Sequence, residues 1–280
     1  MKNNVLLTIG DPHLSSGDKT EDTTNPKLLK EFLKASLKEK YQLALLGDVY
    51  ETCQAVGGVE GIKDAHGEIH NIIKNGANEG VFKLASGNHD KNLLKYFGFM
   101  KKGKTLYVPE MGAKLSHGHE IEGLYHPIIN KPWEKPLIRI LGIIERFIDK
   151  DIDTKFSRWV KGGDAGRTDK FYKYANKRVM RSKYPVHIFA HFHKPDFKRL
   201  EKERYGKIKM EDLGVTSEPR EIEISRKNPK ERYIINVGGN VNDRCDYVFL
   251  RKLGKNRYVV DFLDMRDGFG ESFYKGRSLI

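Results

Sequence analysis

Short apolar runs alternate with amphipathic segments along the first 90 residues. The continuous apolar stretches at 5–9, 43–46 and 81–85 are typical of buried strands. Between them, apolar residues recur at helical spacing from 26 to about 40 and from about 59 to 74, and the first of these segments opens with a proline, which suits the first turn of a helix. The order strand, helix, strand, helix, strand predicts a largely parallel sheet and an α/β fold.

The pattern changes between about residues 122 and 184, where no clear strand is found. The apolar residues at 137–148 predict a very apolar helix, and another helix is predicted at 168–183. Because a strand pattern resumes at 186–190, we interpret 122–184 as a helical cap inserted into a single domain that spans residues 1–280.

The other predicted elements are short. A helix is predicted at 91–97, and strands are predicted at 106–108 and 113–116. Residues 201–232 are strongly charged, which predicts an exposed hairpin or a mobile loop. Antiparallel strands are predicted at 233–237, 247–250 and 258–263.

The composition is that of a globular protein, with 38% hydrophobic and 32% charged residues in a chain of 280. No apolar run approaches the roughly 20 residues of a membrane span. The first residues lack a signal-peptide pattern, so we expect a cytoplasmic protein, or one peripheral to a membrane. Cys53 and Cys245 are too few and too far apart for a disulfide scaffold or a thiolate metal site.

Positive charge is concentrated in the middle of the chain. Residues 131–230 carry 26 Lys and Arg against 15 Asp and Glu, whereas residues 1–130 carry 16 of each. Basic surfaces attract anions, so we expect a phosphorylated substrate, a nucleic acid or an anionic membrane surface as the partner. A solvated, lysine-rich surface without a partner is the alternative.

Polar residues follow five of the predicted strands, at the strand ends where open α/β sheets place their ligands. The motifs are Asp11-Pro12-His13, Gly47-Asp48, Gly87-Asn88-His89-Asp90, His117-Gly118 and His191-Phe192-His193. In an extended segment, Asp11 and His13 would lie on the same side. Carboxylate, carboxamide and imidazole donors together suit two divalent transition ions, such as Mn, Fe, Co, Ni or Zn, better than Ca or Mg. Two such ions can activate a water molecule and hold a phosphate for in-line attack.

The five motifs, in this order, resemble the calcineurin-like metallophosphoesterase superfamily. The resemblance implies a four-layer α/β/β/α sandwich and hydrolysis of a phosphate ester or anhydride, with Mn as the expected metal. One ion would be held by Asp11, His13, Asp48 and His193. The other would be held by Asp48, Asn88, His117 and His191, with Asp48 bridging the two. His89 would be catalytic, assisting the leaving oxygen or the charge that develops on the phosphate.

The subfamily stays open. The motif from Gly47 to Glu51 lacks the Asp-Arg-Gly continuation typical of phosphoprotein phosphatases in the superfamily. The same motif and the inserted cap resemble UDP-2,3-diacylglucosamine pyrophosphatases, but those enzymes usually carry Arg at the position of His89 and Asp at that of His119. Superfamily nucleases of DNA repair share Gly-Asn-His-Asp but normally add capping and coiled-coil segments. A non-enzymatic scaffold is a further alternative, against which the complete ligand set argues.

Substrate contacts are predicted beside this centre. His119 would contact phosphate or face solvent in a turn. Because the cap is inserted between His117 and His191, its root must lie beside the metals, so its basic side chains are expected to bind the substrate, with the candidates Arg139, Arg146, Arg158 and Arg167. His66 and His70 stand four apart on a predicted helix, a spacing that can bind metal but is better explained by an ordinary helix face. Asp90 would orient His89 or cap the following helix.

Overall fold

A computed structural model describes residues 2–17, 25–52, 55, 57–90, 105–124, 140, 164–192, 194–203, 206–224, 230–239 and 245–268. These parts of the chain form a mixed α/β fold with two six-stranded mixed sheets. No helix in them is long and apolar enough to cross a membrane.

The first sheet contains the parallel strands that the amino-terminal pattern predicts. Its strands, in spatial order, are β3 (Phe82–Ala85), β2 (Tyr41–Leu46), β1 (Lys2–Ile9), β11 (Asp246–Lys252), β12 (Arg257–Asp264) and β9 (Arg220–Glu223). The pairs β1–β2 and β2–β3 are parallel, while β11 pairs antiparallel with both β1 and β12. The carboxyl ends of β1, β2 and β3 therefore meet at one edge of the sheet.

The second sheet follows the order β4 (Thr105–Val108), β5 (Ala113–Ser116), β6 (Val186–Phe189), β10 (Glu231–Asn236), β7 (Asp196–Lys202) and β8 (Ile208–Asp212). Strands β5, β6 and β10 are parallel, and the other pairs are antiparallel. The carboxyl ends of β5 and β6 thus also lie side by side.

The described residues include four α-helices with defined bounds and two short 3-10 helices, Pro109–Met111 and Met265–Asp267. The α-helices are α1 (Pro26–Lys38), α2 (Gly58–Asn78), α3 (His119–Glu122) and α4 (Asp164–Met180). The side chain of Asn25 accepts a hydrogen bond from Leu28 N at the start of α1, which satisfies one of the free amides of the first turn. Helix α2 has a non-helical residue, His66, in its interior. Helix α4 confirms a helix near 168–183, although it begins at Asp164.

Three apolar clusters account for the packing. One joins α1 and α2 to β1, β2 and β3, through residues such as Phe32, Ile73 and Leu45. A second contains residues of both sheets, such as Leu6 and Ile188. The third joins α3 and α4 to the second sheet. Burial of these side chains away from water is the main favourable contribution to folding.

Two predictions about the second half of the chain differ from the structure. Strand β10 lies in the second sheet and pairs with the parallel strand β6, so the three last predicted strands do not form one antiparallel unit. The charged stretch 201–232 contains β8, which forms a hairpin with β7, and β9, which pairs with β12 in the other sheet. Both strands lie at sheet edges with one face in water, which accounts for their charged residues. The predicted helix at 91–97 lies outside the described residues, as does the predicted helix at 137–148 except for Ile140, which is helical.

Candidate metal centre

The predicted donors converge where the carboxyl ends of strands from both sheets meet. Asp11, Asp48 and Asn88 follow β1, β2 and β3 of the first sheet, whereas His117 and His191 follow β5 and β6 of the second. Hydrogen bonds between the loops fix this arrangement: Asp11 N donates to Gly47 O at 3.3 Å, and Ala190 N donates to His117 O at 3.0 Å. The site is therefore built from backbone that the two sheets hold in place.

Four buried side chains form the centre of the site. Asp11, Asp48, His117 and His191 each offer a ligand atom within 4.8 Å of the others. His117 Nε2 lies 2.7 Å from Asp11 Oδ1 and 3.2 Å from Asp48 Oδ2. The backbone amide of His191 donates to Asp11 Oδ2 at 2.8 Å. Two carboxylates and two imidazoles in this arrangement can hold a metal ion.

A second group of possible ligands is formed by His13, Glu51 and His89. Glu51 Oε2 accepts a hydrogen bond from His13 Nδ1 at 3.0 Å and lies 2.5 Å from His89 Nδ1. The backbone amide of His89 donates to Asp48 Oδ1 at 2.8 Å, which links this group to the first. The side chain of His89 is 20% exposed while that of Glu51 is 2% exposed, so His89 is the group that an incoming molecule can reach.

The backbone at the predicted ligands is strained. Five non-glycine residues of the described chain have a positive φ, and four of them are predicted ligands: Asp11 at 50°, His13 at 47°, Asp48 at 46° and His191 at 71°. Such conformations cost of order 1–3 kcal/mol each and concentrate at functional sites. The expectation that Asp11 and His13 lie in an extended segment is therefore wrong, and their side chains contact different groups.

Two glycines allow the loops to approach one another. A Cβ atom on Gly87 would overlap the Asp48 carboxylate, and one on Gly47 would lie 2.7 Å from Gly87 Cα and 2.8 Å from His117 Cγ. Gly47 also has a φ of 79°, a conformation that glycine adopts without penalty. Only glycine fits at these positions, because the second and third motifs are in direct contact.

Burial and charge pairing set the electrostatics of the site. Burial alone would lower the pKa of His117, but the charges of Asp48 and Asp11 raise it well above its usual range. Burial alone would raise the pKa of Asp48, but His117 and His89 hold it well below its usual range. In the same way, His89 and His13 outweigh burial and lower the pKa of Glu51 to about 2. The carboxylates of Asp48 and Glu51 are thus ionised at neutral pH, the form that binds metals.

Asp90 supports the loops and does not contact the metal ligands through its carboxylate. Its Oδ1 accepts from Gly87 N at 2.6 Å and its Oδ2 accepts from Val49 N at 2.9 Å. Burial and the negative charge of Asp48 raise its pKa to about 6. Asp90 therefore joins the second motif to the third. The helix that it was predicted to cap lies outside the described residues.

The donor set fits a divalent transition ion. Asn88 is buried, and its Oδ1 accepts no hydrogen bond from the described residues. A buried amide oxygen without a partner is costly and needs an explanation. A metal ion would supply one, and the neighbouring carboxylate oxygens and imidazole nitrogens suit ions such as Mn, Fe or Zn.

Two carboxylates that the sequence reasoning did not assign to the site are part of it. Glu51 is described above, and Glu122, fully buried in α3, contacts His191 Nε2 through its carboxylate. Each stands within five residues of a predicted ligand, Glu51 after Asp48 and Glu122 after His117. This closeness in sequence to a predicted ligand is a signal for both glutamates. Acidic residues are so common in loops, however, that the signal alone does not identify a site residue.

Other predicted residues lie nearby or elsewhere. His119 is 1% exposed and shares a 2.9 Å hydrogen bond with His117 through the Nδ1 atoms, so the alternative of a solvent-facing histidine is wrong. His70 Nδ1 bonds to the Tyr50 hydroxyl at 3.1 Å. His193, Arg139, Arg146 and Arg158 lie outside the described residues. Arg167 lies in α4, where its side chain is not described.

No protein-family model matches the chain, and no curated protein matches it. The function must therefore be inferred from the chemistry of the site.

Proposed function

We propose that the protein is a metal-dependent phosphoesterase that hydrolyses a phosphate ester or anhydride. The observation that carries this proposal is the convergence of Asp11, Asp48, His117 and His191 from two sheets at one buried point, in the order of the superfamily's motifs. The buried Asn88 follows Gly87, whose backbone lies against the Asp48 carboxylate. We propose two Mn ions or related transition ions as the cofactor. Bound ions would supply Lewis acidity and a nucleophilic water molecule.

The residues of the chain would bind the metals, donate a proton and orient a metal ligand. The metals would be held by Asp11, Asp48, Asn88, His117 and His191. His13, from the group that it forms with Glu51 and His89, would be a further ligand. His89 would donate a proton to the leaving oxygen or stabilise charge on the phosphate. Its side chain is more exposed than that of Glu51, and its Nδ1 atom lies beside the Glu51 carboxylate. Glu122 would fix the orientation of the His191 ring, as carboxylates beside metal-bound histidines do.

The proposed architecture is the four-layer α/β/β/α sandwich. It is supported by the three apolar clusters, which join helices to the first sheet, the first sheet to the second, and the second sheet to helices. In this arrangement the candidate metal centre lies at one end of the two sheets, where the carboxyl ends of their parallel strands meet.

Activity on defined esters tests the proposal. Protein stripped with EDTA and then supplied with Mn, Zn, Ni or Mg should be assayed on nitrophenyl phosphate mono- and diesters, single-stranded DNA and a UDP-sugar lipid. We expect hydrolysis of at least one ester class that EDTA abolishes and a transition ion restores. Metal analysis that finds no bound ion, together with no hydrolysis of any substrate, would favour a binding scaffold instead.

A further inference from the structure

An exposed edge of the second sheet carries two tyrosine rings beside cations. Tyr107 on β4 is 52% exposed, and its ring centroid lies 5.4 Å from that of Tyr184, with 36° between the ring planes. Lys114 Nζ lies 5.8 Å from the centroid of Tyr107, and Lys183 Nζ lies 5.4 Å from that of Tyr184. With Arg178 at the end of α4, these residues form what we call the aromatic-basic patch.

Positive charge is concentrated in the patch. Burial and the charge of Arg178 lower the pKa of Lys114, and the charge of Glu120 partly offsets them. Within the described part of the chain, Lys114, Arg178 and Lys183 form no ion pair. A concentration of positive charge attracts anionic ligands.

The patch is fixed before any ligand arrives. Ser182 O accepts hydrogen bonds from Arg232 Nε at 3.1 Å and Nη2 at 2.8 Å, and Ser182 Oγ accepts from Tyr184 N at 3.1 Å. His187 Nε2 donates to Tyr184 O at 3.2 Å. Burial and the nearby Lys114 lower the pKa of His187 to about 3, so its ring is neutral at pH 7 and adds no charge. A rigid platform binds a ligand with a smaller loss of entropy than a flexible one.

We propose that the aromatic-basic patch binds single-stranded nucleic acid. Exposed aromatic rings stack with unpaired bases, and adjacent cations contact the phosphate backbone, a combination that is typical of single-strand binding surfaces. Duplex nucleic acid hides its base faces, so the rings would have nothing to stack on. A membrane surface is less favoured because the patch presents ring faces and cations rather than aliphatic side chains that insert into lipid.

One residue of the patch is close in sequence to the candidate metal centre. Lys114 precedes His117 by three residues on β5 and its loop, so their Cα atoms are at most roughly 10 Å apart at the rise of an extended chain. Tyr184 precedes β6, whereas His191 follows it, so Tyr184 lies toward the other end of that strand. The binding inference does not rest on the proposed hydrolysis, because stacking and charge contacts require no metal.

Fluorescence anisotropy of the full chain in EDTA tests binding apart from catalysis. The probe is a labelled oligothymidylate of about 15 nucleotides, within the range that such surfaces cover. We expect Tyr107→Ala to weaken binding about 5- to 150-fold, the range for one lost base-stacking ring. Tyr107→Phe keeps the ring and should bind as the wild type does. Tyr107 is exposed, so neither variant should affect folding, which circular dichroism checks.

The charge contribution is measured from salt dependence. Lys114→Ala should reduce the slope of log affinity against log salt by about 0.7, the value for one phosphate contact on a single strand. Lys38→Ala, on α1 against the other sheet, serves as the matched control and should leave the slope unchanged. The inference is overturned by absent binding, by equal affinities of the two Tyr107 variants, by equal slopes of the two lysine variants, or by binding to phosphatidylserine vesicles in place of the oligonucleotide.

Discussion

Replacement of Glu51 by glutamine tests the charge pairing at the site. Glutamine keeps the size and shape of a protonated glutamate but cannot ionise. The surroundings of Glu51, chiefly His89 and His13 acting against burial, lower its pKa from 4.5 to about 2. At 1.36 kcal/mol per pKa unit, the metal-free protein should lose about 3 kcal/mol of unfolding free energy at pH 7 in the Glu51→Gln variant.

The loss has a defined pH dependence. The folded pKa of Glu51 is depressed, so its stabilisation is fully present above the unfolded pKa of 4.5 and disappears as pH falls through the folded pKa of about 2. The difference between wild type and Glu51→Gln should therefore shrink from about 3 kcal/mol at pH 7 to about 1 kcal/mol at pH 3.

Urea unfolding in EDTA at several pH values measures this difference. Glu68→Gln provides a matched control, because Glu68 pairs with Lys30 and Lys34 on the exposed surface, where such pairs contribute little. A loss at pH 7 no larger than that of the control, or one that does not shrink toward pH 3, would refute the reasoning. Glu51 would then not be held as an ionised partner of the two histidines.

Three further substitutions separate the roles at the centre. Asp48→Asn should abolish most hydrolysis and weaken metal binding while the protein stays folded, as measured by calorimetry and circular dichroism; near-normal turnover at saturating metal would contradict it. His89→Ala should retain its metal and lose rate by about 10²- to 10⁴-fold, the range for one acid-base group; loss of metal would instead make His89 a ligand. Gly87→Ala should cost about 1–3 kcal/mol of stability and weaken metal binding, because its Cβ would displace the Asp48 carboxylate; urea unfolding and metal titration that match wild type would argue against that contact.

The amino-terminal half of the fold was predictable because local pattern and tertiary environment agree there. Strands β1, β2 and β3 are buried, and their apolar residues are continuous in the sequence. Strands β8 and β9 were not predictable in this way, since their exposed faces carry charged residues that resemble a loop. The assignment of β10 to the second sheet depends on long-range pairing with β6, which no local pattern reveals.

The donors of the site were predictable for a similar reason, because each follows directly on a strand. The way in which these donors divide into two groups was not predictable from the sequence. His13 faces Glu51 and His89, whereas Asp11 faces His117, since the left-handed backbone at both residues turns their side chains to different groups. Glu122 enters the site through the short helix after β5, and its contact with His191 spans 69 positions in the chain.

The position of the site between the sheets explains why strained loops persist there. Asp11 and Asp48 come from the first sheet and His117 and His191 from the second, so the cluster exists only when both sheets are packed. Buried charges would be destabilising without partners, but the opposite charges of Asp48 and His117, from different sheets, offset the cost of burying these two groups. The apolar cluster shared by the sheets holds these groups at fixed separation. The left-handed residues and the contact between Gly47 and Gly87 then place the donors at one point, as a preorganised metal centre requires.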